Sequence, residues 1–550
     1  MTKTGVNWPR LSSFGFILGV SLFFAIILNL SLWRFVLTKI TLNGLLSYLF
    51  ALTIPLVLIL GLGFIFQILL WPKIYKPILS FLFLVSSFGN YAMFQYGVFI
   101  DSDMIRNFLE TNQTEVLEYV SLNLIFWLTL TGLGPILLTV KAQVAFRPFW
   151  AEFKIRLLGI IICVFGLLSV MGIFYKPLAS FGRNNKEITR LINPTNYIYA
   201  TIRYFQKKSL ANKPFQILDG EARIKPRQTQ KPLVFVLIVG ESARGQNFAL
   251  NGYPKNTNPR LRRQDALSFK DVTASATATA LALPAMFSPF KREDFDLNEA
   301  LASDNLLDLL KRAGLKVIWL DNDNGCKKVC DRVENIKLKP NDDPRYCDGN
   351  SCYDEILVDR LKAILPTVKS QTLIVLHAIG SHGPSYFKRY PPEFRVFRPF
   401  CDSAGLENCP NEAIVNSYDN SILYTDKVVD LAIMALKERS DLITGLTYVS
   451  DHGESLGEKG LYLHGIPYAF APYEQLNVPL ILWLSQALQA ELRLDYACLK
   501  NFTSKPYSHD YLFHSLASAL GLETKLYDES LDIFKPCRRK EASGPIGSSP

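Results

Sequence analysis

Two short polar clusters, each closing an apolar run, carry residue types that bind metals and move phosphoryl groups. The run Leu233 to Val239 ends in Gly240-Glu241, and Leu446 to Val449 ends in Ser450-Asp451-His452-Gly453-Glu454. Glu241, Asp451 and His452 together are a hard-to-borderline donor set that suits zinc and could hold manganese. A fourth ligand is available in Thr279, within the hydroxyl-rich stretch Asp271 to Pro284. An alcohol bound to a divalent cation shifts toward its alkoxide and becomes a nucleophile at neutral pH. Thr279 stands just before the apolar Ala280 to Phe287 run, at an expected helix N-terminus whose N–H groups can steady a phosphoryl oxygen. His382, in Gly380-Ser381-His382-Gly383-Pro384, and His464 add two imidazoles in glycine-containing contexts, in a chain with only six His. Singly, each has an ordinary reading: Asp-His-Gly makes turns, and a Thr near Pro caps helices. Jointly they describe a metal-dependent group-transfer enzyme.

Such residues need strands to deliver them, because open α/β sheets place their sites at the C-terminal ends of strands. Strand candidates are 233–239, 316–320, 372–378, 446–450 and 478–484, with helices near 303–313, 354–365 and 416–438. That alternation argues an α/β domain with a mainly parallel sheet covered by helices on both faces.

The rest of the chain is of another kind. At 550 residues, with 49% hydrophobic residues, it is too long for one ordinary domain and too apolar for a purely soluble one. Five apolar segments of spanning length lie at 13–33, 46–71, 77–100, 121–140 and 156–175. The first is long, lacks a small-residue cleavage pattern and precedes four more spans, so it reads as an anchor and not a signal peptide. With the N-terminus inside, the inner segments carry Lys3, Arg10, Lys73, Lys76, Lys141, Arg147, Lys154 and Arg156, and the outer loops only Arg34, Lys39 and Arg106. The C-terminal domain is then outside.

Cysteine usage agrees. Cys326/Cys330, Cys347/Cys352 and Cys401/Cys409 are close pairs that read as loop-bracing disulfides of an oxidising compartment, although a thiolate zinc site is the rival. Cys498 and Cys537 could pair or stay free, and Cys163 is read as a packed apolar residue of the fifth span. The net charge of +10 lies largely in the inner loops and after the last span, which suits anionic lipid better than nucleic acid.

Two further segments read as lying on the bilayer. In Asp101 to Tyr119, Met104, Phe108 and Leu109 alternate with Asn107, Thr111 and Glu115, and the last three fall on one polar stripe at a spacing of four. Arg183 to Lys208 mixes Tyr and Phe with Arg and Lys and is broken at Asn193-Pro194. The expected organisation is a transmembrane domain 1–176 with a polar outer loop 101–120, bridging helices and linker 177–232, a catalytic domain 233–540, and a disordered tail 541–550.

Gly240-Glu241-Ser242-Ala243-Arg244, Asn251-Gly252-Tyr253, Thr279 five before Pro284, Ser381-His382-Gly383-Pro384 and Ser450 to Glu458 resemble the bacterial phosphoethanolamine transferases that modify lipid A, including the transferable colistin-resistance enzymes. The resemblance implies five spans and an alkaline-phosphatase-like periplasmic domain. It implies a catalytic zinc on Glu241, Thr279, Asp451 and His452, with Thr279 as nucleophile. It assigns His382, His464, Glu454 and Lys327 to the neighbouring pocket for phosphoethanolamine or a second zinc, and Asn107, Thr111 and Glu115 to the lipid substrate. Some relatives bracket the nucleophile with a Cys pair where this chain has Ser275 and Ala285, so the Thr279 loop is expected to be less constrained. No Cys-x-Pro-x-Arg-like motif accompanies Thr279, which argues against sulfate-ester hydrolysis.

The resulting expectation is an inner-membrane monomer that takes phosphoethanolamine from phosphatidylethanolamine, through a phosphoethanolamine-threonine intermediate, to lipid A. Cationic-peptide resistance would follow. The rivals are a phosphoglycerol transferase or phosphodiesterase of the same superfamily, transfer to a core sugar or glycan, and an inactive membrane scaffold or metal sensor.

Overall fold

The computed structural model describes residues 10–40, 45–111, 116, 119–209, 214–227 and 229–539. Contacts divide the chain into two units, Met1–Ile105 with Val120–Tyr204, and Arg106–Tyr119 with Phe205–Pro550.

In the first unit, among the described residues, four helices are long and apolar enough to cross a membrane, and a bent pair brings the number to five. That pair covers the expected segment 13–33 and runs beyond it: Ser13–Ile26 and Leu30–Lys39 meet at 54°. The cause is Asn29, which is fully buried. Its amide donates to the carbonyls of Phe24 (2.8 Å) and Asn193 (3.0 Å) and accepts the Asn193 N–H (2.9 Å). An amide in apolar surroundings must satisfy both its ends, and here that takes it out of helical register. The fifth span, expected over 156–175, begins at Phe149. Arg156 and Glu152 make this possible by pairing one turn apart at 3.0 Å. The remaining guanidinium N–H groups donate to the carbonyls of Gln67 (2.8 Å) and Leu70 (2.7 Å), at the C-terminal end of helix Leu45–Leu69, where carbonyls lack helical partners. Thus Arg156 is not the free inner-loop charge that its sequence position suggests.

The surface segment has helix Thr195–Ser209 starting after Asn193-Pro194, as expected. The stretch read as a linker is instead docked on the second unit. Arg223–Ile224 pairs antiparallel with Leu522–Glu523, and Asp219 accepts the Thr524 hydroxyl (2.6 Å) and the Lys525 N–H (3.0 Å). The tail 541–550 lies outside the described residues.

The second unit is built on seven strands: β1 Leu233–Gly240, β2 Leu267–Phe269, β3 Lys316–Asp321, β4 Glu334–Lys337, β5 Thr372–His377, β6 Ile443–Ser450 and β7 Leu480–Leu484. Across the sheet they run β2-β7-β6-β1-β5-β3-β4. All adjacent pairs are parallel except the two that β7 makes. The expected strand 478–484 is therefore the antiparallel one, and the short edge strands β2 and β4 went unforeseen. Every residue of β1, β5 and β6 is buried, the unbroken apolar pattern of strands covered on both faces. Odd positions of β1 pack with Trp319, Val375, Leu283, Met286, Leu309, Phe513 and Leu516, drawing helices Thr279–Phe287, Leu306–Arg312 and Asp510–Ala519 onto one face. Helix Asn411–Lys437 packs on β6 and against helix Glu355–Ile364.

Disulfides join Cys326–Cys330, Cys347–Cys352 and Cys401–Cys409, and Cys498 pairs with Cys537. Cys163 is free and half-buried.

Candidate active site

Parallel pairing of β1 with β6 sets Gly240 opposite Ser450, so the two strand ends release Glu241 and Asp451-His452 side by side. The Asp451 N–H donates to the Gly240 carbonyl at 3.0 Å. Just past Glu241, Ser242 adopts φ 56°, a left-handed conformation uncommon for a side-chain-bearing residue. It turns the Ser242 N–H onto Asp451 Oδ1 (3.2 Å) and its hydroxyl onto Glu241 Oε1 (2.7 Å). Gly380, at φ +53°, lies so close that a Cβ there would sit 2.6 Å from the Glu241 carbonyl oxygen.

Thr279 is the first residue of helix Thr279–Phe287, and no side chain caps that N-terminus. Its hydroxyl donates to Glu241 Oε2 at 2.9 Å and lies 3.4 Å from His452 Nε2. His452 Nε2 in turn stands 3.3 Å from both Glu241 and Asp451. The structure thus gathers Glu241, Thr279, Asp451 and His452, three of them fully buried.

This set fits a divalent cation on three counts. The ligand atoms of Glu241, Asp451 and His452 lie within 4.8 Å of one another. His452 Nδ1 is 2.9 Å from the Gly453 carbonyl, which fixes the proton there and turns the Nε2 lone pair into the cluster. Asp451 Oδ2 is buried and receives no hydrogen bond. Electrostatics agree: burial and the adjacent Glu241 push the Asp451 carboxyl up to about 8. Burial opposes the His452 imidazolium, yet Asp451 and Glu241 push it up to about 10. Burial likewise opposes the Glu241 carboxylate, but His452, His382 and His464 hold it well below the usual range. A cluster that draws protons in this way is one that a metal ion would neutralise.

His464 and His382 flank the cluster. His464 Nδ1 bonds Glu454 Oε2 at 2.8 Å, and Glu454 Oε1 accepts the Tyr386 hydroxyl at 2.7 Å. The His464 ring centre is 4.3 Å from that of His452 and 5.5 Å from that of His382. Lys327 is less central: its Nζ donates to the Asn324 carbonyl at 3.1 Å, on the turn after β3. Asn107 belongs to the segment grouped with this unit, and a Cβ on Gly465 would lie 3.6 Å from its Nδ2. The Thr111 hydroxyl donates back to the Asn107 carbonyl. Glu115 lies outside the described residues.

Sequence reasoning missed three supports. His509 accepts the Ser275 N–H at Nδ1 (3.1 Å), and its Nε2–H donates to the Ser450 carbonyl (2.9 Å), tying the Thr279 loop to the end of β6. Asp354 receives Asn322 Nδ2 and the N–H groups of Ile379 and Gly380, seating the loop that carries His382. Asp323 and His377 approach Glu241 from β3 and β5. A second Asp and a second His at strand ends were the available signal for that last pair; nothing local marks the other two.

A family model described as phosphoethanolamine transferase EptA/EptB matches residues 56–209, and one described as sulfatase matches residues 234–522. The chain is 37% identical over 546 residues to phosphoethanolamine transferase EptA of Salmonella typhimurium, covering 98% of this chain and 100% of that protein. It is 34% identical over 452 residues to phosphatidylethanolamine transferase Mcr-1 of Escherichia coli, covering 79% and 83%. The integral membrane protein lipooligosaccharide phosphoethanolamine transferase A from Neisseria meningitidis superposes with a TM-score of 0.94 at 35% identity, covering 97% of this chain and 100% of that one.

Proposed function

The chain belongs to the phosphoethanolamine transferase family, and we propose that it moves phosphoethanolamine from phosphatidylethanolamine to lipid A by way of Thr279. The observation that carries this reading is the Thr279 hydroxyl, 2.9 Å from Glu241 and 3.4 Å from His452, at an uncapped helix N-terminus. Zinc held by Glu241, Thr279, Asp451 and His452 would lower the pKa of that hydroxyl and stabilise charge on the phosphoryl oxygens.

Thr279 Oγ1, its hydroxyl proton already released to solvent, attacks the phosphorus of the donor, the bond from phosphorus to the diacylglycerol oxygen breaks, and the phosphoethanolamine group is carried on Thr279. N–H groups at the head of helix Thr279–Phe287 receive the phosphoryl oxygens. His464, with Nδ1 held by Glu454, presents Nε2 to the departing alkoxide as proton donor, and then takes the proton of the lipid A hydroxyl or phosphate that attacks next. His382 lines the same pocket. Both lipids are confined to the bilayer on which the catalytic unit is anchored, so the membrane helices supply proximity. Added ammonium groups weaken the attraction of lipid A for cationic peptides such as polymyxin.

The full-length protein, incubated in vesicles with headgroup-labelled phosphatidylethanolamine and no acceptor, should yield a Thr279 peptide heavier by one phosphoethanolamine group, absent in Thr279→Ala. An unlabelled Thr279 peptide under conditions of diacylglycerol release would refute the intermediate and favour direct hydrolysis.

A further inference from the structure

The central carboxylate, Glu241, has a second set of neighbours that the transfer reaction does not use. In strand order β6-β1-β5-β3, Asp451 and His452 reach Glu241 from one side, and His377 and Asp321 end the strands on the other. Asp321 and His377 are paired in register as the last residues of β3 and β5. His377 Nδ1 is 3.3 Å from Asp321 Oδ2, which also accepts the Trp319 indole N–H at 3.0 Å. Asp321 Oδ1 is occupied by the N–H groups of Asp323 (3.0 Å) and Gly325 (3.2 Å). A carboxylate tied down in this way holds the Nδ1 proton and the plane of the ring.

The other ring nitrogen has nothing to bond. His377 Nε2 is fully buried without a hydrogen-bond partner, and the nearest carboxylate oxygen to it, Asp323 Oδ2, is 3.7 Å away. That is too long for a hydrogen bond. It is close to the separation of two ligands on one ion: at metal–ligand distances of about 2.1 Å, tetrahedral neighbours stand roughly 3.4 Å apart. Ligand atoms of Glu241, Asp323 and His377 all lie within 4.8 Å of one another. An imidazole with its far nitrogen held by a carboxylate and its near nitrogen turned to two further carboxylates is the arrangement by which proteins orient metal-binding histidines.

We propose that His377, Asp323 and Glu241 form a second divalent-cation site, of the zinc or manganese class, with Asp321 orienting His377 and Glu241 shared with the Thr279 cluster. It is distinct from the pocket of His382, His464 and Glu454. A cation there places positive charge beside Glu241 and limits the ability of that carboxylate to draw charge away from Thr279. The assignment goes beyond the transfer reading and stands without the threonine intermediate.

The test is the metal content of the full-length protein in detergent micelles, stripped with chelator, dialysed against zinc chloride and measured by elemental mass spectrometry. Wild type should hold one zinc equivalent more than His377→Gln and one more than the nearly isosteric Asp323→Asn. The same loss should appear when His377→Gln is placed on a His382→Ala/His464→Ala background, which removes the neighbouring pocket from the count. Cobalt titration of the wild type gives an independent reading: two sets of visible absorption bands are expected, one of them missing in Asp323→Asn. Equal zinc content in wild type and Asp323→Asn, or a single set of cobalt bands unchanged by that substitution, overturns the proposal. Labelling of Thr279 is read separately, so failure of the metal count leaves the threonine chemistry untouched, and the reverse.

Discussion

Replacing His509 should weaken the protein most at neutral pH and least in acid. His509 is buried, accepts the Ser275 N–H and donates to the Ser450 carbonyl. Burial holds its imidazole neutral, lowering its pKa from 6.5 to about 4. Below pH 6.5 the unfolded chain binds a proton at this residue that the native state refuses until about pH 4. The contribution of the neutral ring is therefore complete above pH 6.5 and is lost as pH falls toward 4. At 1.36 kcal/mol per pH unit this linkage amounts to about 3 kcal/mol. His509→Ala also strands a buried N–H and a buried carbonyl, each costing about 1–3 kcal/mol. The assay is denaturant unfolding of the full-length protein in micelles by near-UV circular dichroism, at steps from pH 7.5 to 4. The stability difference between wild type and His509→Ala should be several kcal/mol at pH 7.5 and should shrink by about 3 kcal/mol at pH 4. Hydrogen exchange at matched pH should rise in the peptide holding Ser275 and Thr279. A difference that stays constant across this range, or exchange changes confined to other peptides, would refute the reasoning.

Tyr386→Phe removes the hydroxyl that holds Glu454 and through it His464; activity should fall roughly 10–100-fold in kcat with little change in KM, as loss of an outer orienting partner does. Cys498→Ser/Cys537→Ser opens the disulfide with the greatest sequence separation, 39 residues. A loss of about 3–4 kcal/mol in the chain-entropy account should appear as a lower unfolding midpoint, with the Thr279 label still formed. In the membrane unit, Arg156→Leu should cost about 3–5 kcal/mol because it leaves Glu152 buried without its cation, and Glu152→Gln/Arg156→Met should recover much of that loss. Thermal melts in micelles check both variants; a double variant no better than Arg156→Leu would show that the carbonyl contacts, not the charge, dominate.

Much of the candidate site was legible because its residues sit at the ends of apolar runs. A strand buried on both faces announces itself by an unbroken run of Val, Ile and Leu, and parallel strands end on the same edge, so Glu241 and Asp451-His452 were expected on one edge; the pairing of β1 with β6 brings them together. The membrane segments were legible for a similar reason, since length and hydropathy alone mark a span. Asn29 shows the limit of that rule. One polar residue in an apolar run says nothing about where it bends the helix, because its partner, Asn193, lies 164 residues away.

The sequence by itself determined the buried central strands and the apolar spans, which chemistry is available and on which sheet edge it gathers, because periodicity, strand burial and donor type are local properties. Only the tertiary structure decided that β7 runs against its neighbours, that the supposed linker is docked by Asp219, and that His509 and Asp354 brace the site while His377 leaves a bare nitrogen 3.7 Å from Asp323. Those outcomes depend on which groups are left to satisfy one another once the chain is packed. The Ser275–His509 bond, for example, spans 234 residues of sequence, and no local pattern carries such a choice.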